Sequence, residues 1–377
     1  MARMKVFVFD PIAAGAAPAR PLPQSLRRQG EMLQQALLAD LGALPGVEVV
    51  RTASLDPPSG LAGDTADLPA PDTDGTPAWR PAGAQAGAEF GTEFRAQAGA
   101  PAGGGAGAPP PAPHETDRFG IRFAAGMVTA DAVWPLASES AGALEHLSRA
   151  ILRGKRVLLG SSPGAVAVAA SKLALSRVLA EGGVDAVATY SPHAALPLDS
   201  GPWVVKPDDG AGCLDTRLFS DRAAALAWIR AHAADGYVLQ PFVAGKLGSL
   251  SLLCCDGRAR VLACNQERVA MRDNRFHFLG SVVNGLSDED GSLNRLAQQV
   301  AAAIPSLWGY VGIDFVLSAR GAMVLDVNPR LTAAYAGLHA STGCNPAGLV
   351  LDLLKNPAAM AAPVGMRRAV SVDIGNP

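Results

Sequence analysis

Near the C-terminus, two apolar runs, YVGIDFVLS (310–318) and MVLDVNPR (323–330), lie so close together that an antiparallel hairpin is the natural way to join them. The residues between them, Ala319-Arg320-Gly321, fit a three-residue loop: a type I turn followed by a left-handed glycine. Such a loop predicts Ser318 opposite Ala322 and hence Asp314 opposite Asp326. Asp326 and Asn328 are two apart on one strand and share a face. Three oxygen-bearing side chains therefore converge, and two carboxylates this close repel unless a cation lies between them. Oxygen ligands without a nearby His or Cys suit Mg²⁺ shared with a phosphate, with Mn²⁺ as the alternative. The neighbours Val311, Ile313, Phe315, Val316, Val324, Leu325 and Val327 are apolar, which argues against a solvated edge carrying ordinary surface acids. Arg330, two residues beyond Asn328, could clamp a phosphate or carboxylate, or simply pair with one of the acids.

Upstream, WVVKPDDGAGC ends a strand on Lys206 and runs straight into a loop with Gly210, Ala211 and Gly212. Glycines let backbone N–H groups approach phosphate oxygens, and the lysine adds a point charge. This is no Walker A loop, because neither Gly154-Lys155 nor Gly245-Lys246 precedes Ser or Thr. YVLQPFVAG reads as a strand entering a connector whose exposed backbone could meet a base edge; taken alone, it is equally a plain strand end.

The remaining elements follow from periodicity. MKVFVFDP suits a buried parallel strand, and Met32, Leu33, Ala36, Leu37 and Leu41 recur at helical spacing before the strand VEVVR. This opening suits an open α/β domain. Between Thr52 and Gly120 no Val, Ile, Met or Lys occurs, and Ala, Gly and Pro dominate. A segment so poor in apolar side chains cannot offset its ordering entropy, so a disordered insertion at 52–120 is expected. The strand KRVLLGSS follows, then a helix from Pro163 carrying Lys172. Three β-rich segments, a helix from Asp290 to Ile304, the hairpin and a last helix complete the chain.

Composition excludes several classes. A net charge of −2 offers no basic stripe for nucleic acid. The longest central charge-free run, Val157 to Ser171, is broken by Gly and Pro and falls short of the ~20 residues of a spanning helix. Lys5 to Asp10 read as a strand, not a targeting signal. Five cysteines without a CxxC pair suit reduced thiols. The expectation is a cytoplasmic protein with neither nucleic-acid nor membrane partner; a homo-oligomer is compatible with this reading.

Lys172, the Lys206 strand with its Gly loop, the Gln240 connector and Asp314/Asp326/Asn328/Arg330 occur in an order and spacing that resembles the ATP-grasp superfamily, from about Val157 to the C-terminus. The resemblance implies an α/β (α+β) fold with three parts. A small open α/β domain (1–155) containing the insertion precedes a two-lobed ATP-grasp domain (156–236 and 237–377), with ATP between the lobes. It implies that Lys172 and Lys206 hold ATP phosphates, that Gly210 to Gly212 form a mobile lid, and that Gln240, Phe242 and Val243 edge the adenine. Asp314, Asp326 and Asn328 would then ligate Mg²⁺, and Arg330 and Lys206 would act in phosphoryl transfer. The strings VFDPIAAG, LPQSLRRQGEML, VWPLASES, KPDDGAGC and DVNPRLTAAYAGL are similar to the tyramine–glutamate ligase branch, which is associated with C1-carrier cofactor biosynthesis. That likeness implies small-molecule substrates: glutamate is phosphorylated on its γ-carboxylate, and the acyl phosphate is captured by the amine of tyramine or a related aromatic amine. Apart from the likeness, Arg275, Asn284 and Thr332 are candidate substrate contacts. Two alternatives remain: another ATP-grasp amino-acid or peptide ligase, and a non-catalytic nucleotide-binding scaffold. The chain also departs from the pattern. Ser171 stands where an acid is frequent, Asp326 where Glu is common, and no Glu follows the adenine connector to hold a ribose.

Overall fold

The computed structural model describes residues 3–14, 23–51, 115–197, 201–232, 236–356, 360 and 367–375. By contact the chain divides into Met1–Pro21, Gly46–Pro135 and Ala150–Leu158 on one side, and Leu22–Pro45, Leu136–Arg149 and Leu159–Pro377 on the other.

In the smaller unit the apolar run at the N-terminus forms β1 (Met4–Phe9). It pairs in parallel with β2 (Val47–Arg51) and β3 (Ala132–Pro135), and β3 pairs with β4 (Val157–Leu158). The order β2-β1-β3-β4 is that of a small open parallel sheet. β4 is only two residues long, shorter than the run KRVLLGSS suggests, because the chain turns at Gly160 and Ser162 becomes a helix cap. Helix α2 (Glu115–Thr129) covers the sheet, with Phe119 and Phe123 set 5.4 and 4.8 Å from the Phe9 ring. Gly126 lets the helix approach: a Cβ there would lie 2.0 Å from the Phe7 ring. The helix begins inside the span expected as insertion, where Phe119 and, just beyond the span, Phe123 bury apolar surface against the sheet. The remainder of the expected insertion, 52–114, lies outside the described residues.

The larger unit is built on one antiparallel sheet in the order β12-β11-β8-β9-β10-β6-β5-β7, with β13 (Val370–Asp373) added to β10. The contributing strands are β5 (Trp203–Pro207), β6 (Arg217–Phe219), β7 (Tyr237–Pro241), β8 (Lys246–Cys255), β9 (Arg258–Arg272), β10 (Arg275–Val283), β11 (Gly309–Ser318) and β12 (Gly321–Asn328). One residue pair, Arg275 with Arg217, joins β10 to β6, so the sheet is two lobes hinged at a single ladder rung. In the lobe of β5–β7, helix α6 (Arg222–Ala231) buries Ala225 and Ile229 against Trp203, Val205 and Leu239; its first turn is capped by the Asp221 carboxylate, which accepts from Ala224 N–H at 2.9 Å. In the other lobe, α7 (Ser292–Ala303) buries Leu293, Leu296, Ala297 and Val300 against Leu250, Leu252, Val311, Ile313 and Phe315. Helix α1 (Gln24–Gly42) belongs to this unit. Its Asp40 accepts hydrogen bonds from Tyr335 Oη (2.9 Å) and His339 Nδ1 (2.6 Å) on α8 (Tyr335–Thr342). Helices α3 (Ala143–Arg153), α4 (Pro163–Ala170), α5 (Lys172–Glu181) and α9 (Pro346–Lys355) complete the set.

The hairpin register holds, but for another reason than loop length alone. Ser318 pairs with Gly321, one residue tighter than expected, and Gly321 keeps the left-handed conformation (φ 110°). A bulge then leaves Leu325 unpaired between Val324 and Asp326, which restores Asp314 opposite Asp326. The open edge of β12 is partly covered by the segment before it: Val324 N–H donates to Asp185 O and Val187 N–H to Val324 O, both at 2.9 Å. No single helix among the described residues is long and apolar enough to cross a membrane, and the five cysteines are free.

Candidate active site

A cleft of about 220 Å³ opens between the two lobes of the larger unit. Lys172, Lys206, Gly210, Gly212, Gln240, Phe242, Val243, Asp314, Asp326, Asn328, Arg330 and Thr332 all line it. Ala211 lies in the same loop but is not part of the wall, and neither Arg275 nor Asn284 reaches it.

Ser171 explains how Lys172 gets there. It ends α4 and caps α5, where the chain bends by 106°. Its hydroxyl accepts from Ala174 N–H and donates to Asp208 Oδ2 (2.6 Å), while Asp208 Oδ1 accepts from Leu173 N–H (2.9 Å). The acid missing at position 171 is thus replaced in space by Asp208, contributed from the end of the Lys206 strand. Lys172 Nζ donates to Gly210 O (2.7 Å) and pairs with Asp326 (3.0 Å). Burial opposes its charge, but Asp326, then Glu139 and Asp208, outweigh burial and hold its pKa above the ordinary lysine value.

Among the described residues Lys206 has no such close partner. Burial and the neighbouring Lys172 lower its pKa to about 8, against the pull of Asp326 and Asp314. The loop after it turns through left-handed residues, Gly212 (φ 64°), Cys213 (φ 62°) and Asp215 (φ 52°); such turns orient successive N–H groups toward an anion. Ser140 Oγ donates to Asp209 O (2.8 Å) and Ala141 N–H to Asp209 Oδ2 (3.1 Å), fastening the start of the loop. On β7, next to the Lys206 strand, Gln240 is buried with its amide donating to Thr189 Oγ1 (2.8 Å).

The hairpin acids lie in one polar row. Asp326 opposes Asp314, Asp314 opposes Ser249, Ser249 Oγ donates to Glu267 (2.5 Å), and Ser281 Oγ donates to the other Glu267 oxygen (2.7 Å). The row crosses five strands, from β12 to β10. Asn328 Nδ2 donates to Asp314 Oδ2 (3.0 Å), Arg330 donates to Asn328 Oδ1 (3.1 Å), and Arg330 Nε pairs with Glu139 (2.7 Å). Burial, then the charges of Glu267 and Asp326, push the Asp314 pKa up to about 7, more than Asn328 and Arg330 can offset.

Residues 169–334 match the ATP-grasp domain, and residues 108–166 match the pre ATP-grasp 3 domain. The chain carries an ATP-grasp domain. Its fold is shared with an ATP-grasp superfamily protein from Archaeoglobus fulgidus, at a TM-score of 0.61 and 20% identity, covering 98% of this chain and 92% of the other. It is shared too with D-alanine–D-alanine ligase from Bacillus anthracis, solved with ATP, at a TM-score of 0.56 and 12% identity over 96% and 98% of the two chains. In sequence the chain is 27% identical over 104 residues to the tyramine–L-glutamate ligase of Methanocaldococcus jannaschii. That match spans 28% of this chain and 32% of the relative's length.

The ATP-grasp domain has a donor set that fits a divalent ion of the Mg²⁺ type. The donors are all oxygen, and the excess negative charge that raises Asp314 is what such an ion would relieve. Two of the candidate substrate residues fall elsewhere. Arg275 is exposed next to a turn made by Asp273 and Asn274, both left-handed, and its backbone pairs with Arg272 and Arg217. Asn284 has φ 52°; its amide donates to Ser341 Oγ (2.7 Å) and its carbonyl accepts from Cys264 N–H (3.3 Å), so it staples the end of β10. Thr332 does face the cleft and bonds Tyr310 Oη (3.0 Å). Three polar residues of the site are not among those expected, although Glu139 and Asp208 fall within the strings VWPLASES and KPDDGAGC. Glu139 is 191 residues from Arg330, Asp208 reads as part of a Gly loop, and Glu267 sits inside an unremarkable strand.

Proposed function

We propose that this chain is an ATP- and Mg²⁺-dependent carboxylate–amine ligase, joining an amino acid of the glutamate type to an aromatic amine related to tyramine. The observation that carries the reading is the convergence of Asp314, Asp326 and Asn328 on one wall of a cleft whose opposite wall presents Lys206 and the Gly loop. Asp314, Asp326 and the Asn328 amide oxygen would hold the metal, which when bound neutralises phosphate charge and orients the triphosphate. Gln240, Phe242 and Val243 would border the adenine; Lys172, Lys206 and the Gly210–Gly212 loop would hold phosphates.

In the first step a carboxylate oxygen of the substrate bonds to the γ-phosphorus while the bond to the ADP oxygen breaks, giving an acyl phosphate. In the second, the amine nitrogen bonds to the acyl carbon, phosphate leaves, and the amine loses a proton to give the amide. Amide formation in water is uphill, and ATP supplies the leaving group. The protein's part is positioning and charge placement. Lys206, with a pKa near 8, carries its charge at neutral pH without a fixed counter-ion, so it is free to follow charge as it develops on the transferred phosphoryl group. Arg330 is held by Glu139 and steered by Asn328, which aims one guanidinium edge at the metal residues.

ADP release from ATP plus glutamate, with and without a panel of amines, tests the reading, with the product identified by mass spectrometry. Amine-dependent turnover is the expected result. Turnover with other amino acids as acceptors would instead make it a peptide-type ligase, and nucleotide binding with no turnover would make it a scaffold.

A further inference from the structure

Resting on the ligase reading, the geometry points to Glu267 as the residue that binds the non-reacting ammonium group of the substrate whose carboxylate is activated. Register puts Glu267, Val269, Phe278, Phe276 and Ser281 on the cleft face of β9 and β10: Glu267 opposes Ser281, Val269 opposes Phe278, and a bulge at Leu279 keeps the two strands in step. Two hydroxyls, Ser249 and Ser281, donate to the carboxylate and fix both its oxygens. Arg268, the next residue, acts on it only through space, since its guanidinium bonds the Val372 carbonyl and Asp373. Among the described residues no cation forms an ion pair with Glu267, although Lys172, Asp326, Arg330 and Glu139 in the same region are all paired. A carboxylate kept in a cleft, oriented and left without a cation, is built to receive one from a ligand.

Its place in the polar row decides which one. Glu267 lies two strands from Asp314, roughly 10 Å along the sheet at the usual strand spacing. Among the described residues no three His, Cys, Asp or Glu side chains group closely enough to hold a metal, so Glu267 is not a third ligand beside the hairpin acids. The carboxylate to be activated must sit at the metal end of the row, next to the γ-phosphate. What Glu267 holds is therefore the far end of that same molecule. A carboxylate also stabilises the protonated form of an amine, which cannot attack an acyl phosphate; the attacking amine belongs elsewhere. Such a placement fits an amino acid activated on a carboxyl group remote from its ammonium, as the resemblance to the tyramine–glutamate ligase branch already implies for glutamate; what is new is the residue that holds the ammonium.

The test compares glutamate with glutarate, which lacks only the ammonium, as carboxylate substrates for the wild type and for Glu267→Gln. The isosteric amide oxygen still accepts from a serine but carries no charge. Expected is a kcat/KM preference for glutamate of about 10- to 100-fold in the wild type, falling to within a few-fold in Glu267→Gln, with KM for ATP little changed. Ser281→Ala, which removes one of the two orienting hydroxyls, is expected to give an intermediate preference, and it reads the same ratio if Glu267→Gln does not fold. Preserved discrimination in the variants, or a wild type indifferent to the ammonium, overturns the assignment while leaving the ligase reading intact. Absence of turnover with either substrate and any amine overturns the ligase reading and this inference with it.

Discussion

The lobe of β5–β7 and the lobe around β8–β12 both line the cleft, yet among the described residues five buried apolar side chains form the core cluster of the first and twenty-two that of the second. At roughly 1.5–3 kcal/mol for each large apolar side chain, the larger lobe has much the greater reserve of cohesion. The division of labour matches. The well-packed lobe holds Asp314, Asp326 and Glu267, whose mutual repulsion needs a rigid frame, and the neutral Asn328 that bonds Asp314. The thin lobe carries Lys206, the Gly loop and Gln240, which in the proposed function would close on a nucleotide and release it. A single rung, Arg275 with Arg217, ties the two ladders together, so one lobe can shift without tearing the other.

The sharpest way to break this comparison is at the metal wall. Asp326→Asn, which removes a charge and almost no volume, is expected to lower ADP release by about 10³-fold; turnover near the wild-type level would show that the charge does not lie at the reacting end. Next, Phe315→Ala should cost about 3–5 kcal/mol in a denaturant titration and remove hydrogen-exchange protection throughout β8–β12. Trp203→Ala should instead expose only β5–β7 to exchange, and protection lost equally in both lobes would deny that they are separate cooperative units.

A third prediction concerns pH. The folded-state pKa of Asp314 is about 7 against 3.8 when unfolded, so without metal the folded chain holds a proton that the unfolded chain has released. The stability this proton contributes is complete below pH 3.8 and is lost as pH rises through about 7, on the order of 3–4 kcal/mol. Saturating Mg²⁺ or Asp314→Asn should flatten that slope, as read by urea midpoints across the range. The smallest effect is expected at the loop: Gly212→Ala places a Cβ at φ 64°, 2.9 Å from the flexible end of Leu26. It should cost about 1–2 kcal/mol of loop conformation, seen as a several-fold rise in KM for ATP.

The parts of the site that could be read in advance are those set by neighbours in the chain. Alternation along β12 puts Asp326 and Asn328 on one face, and a strand ending in Lys206 delivers its ammonium to the loop that follows. Even there the agreement at Asp314 came from two offsets that cancel, a tighter turn and a bulge at Leu325. Arg275 and Asn284 looked like free polar groups in a strand-rich region; one is turned outward by the left-handed pair Asp273-Asn274, the other is spent on stapling backbone.

Amino-acid order by itself determined the apolar alternation that makes the hairpin, the poverty of residues 52–114 in core-forming side chains, and the position of each lysine and acid along its strand. These depend on interactions over a few residues, where period and turn chemistry suffice. Only tertiary structure decided that Glu139 holds Arg330, that Asp208 stands in for an acid at position 171, and that Glu267 ends a polar row starting at Asp326. Charges act through space, and it is the sheet order β12-β11-β8-β9-β10, not distance along the chain, that brings those groups within reach of one another.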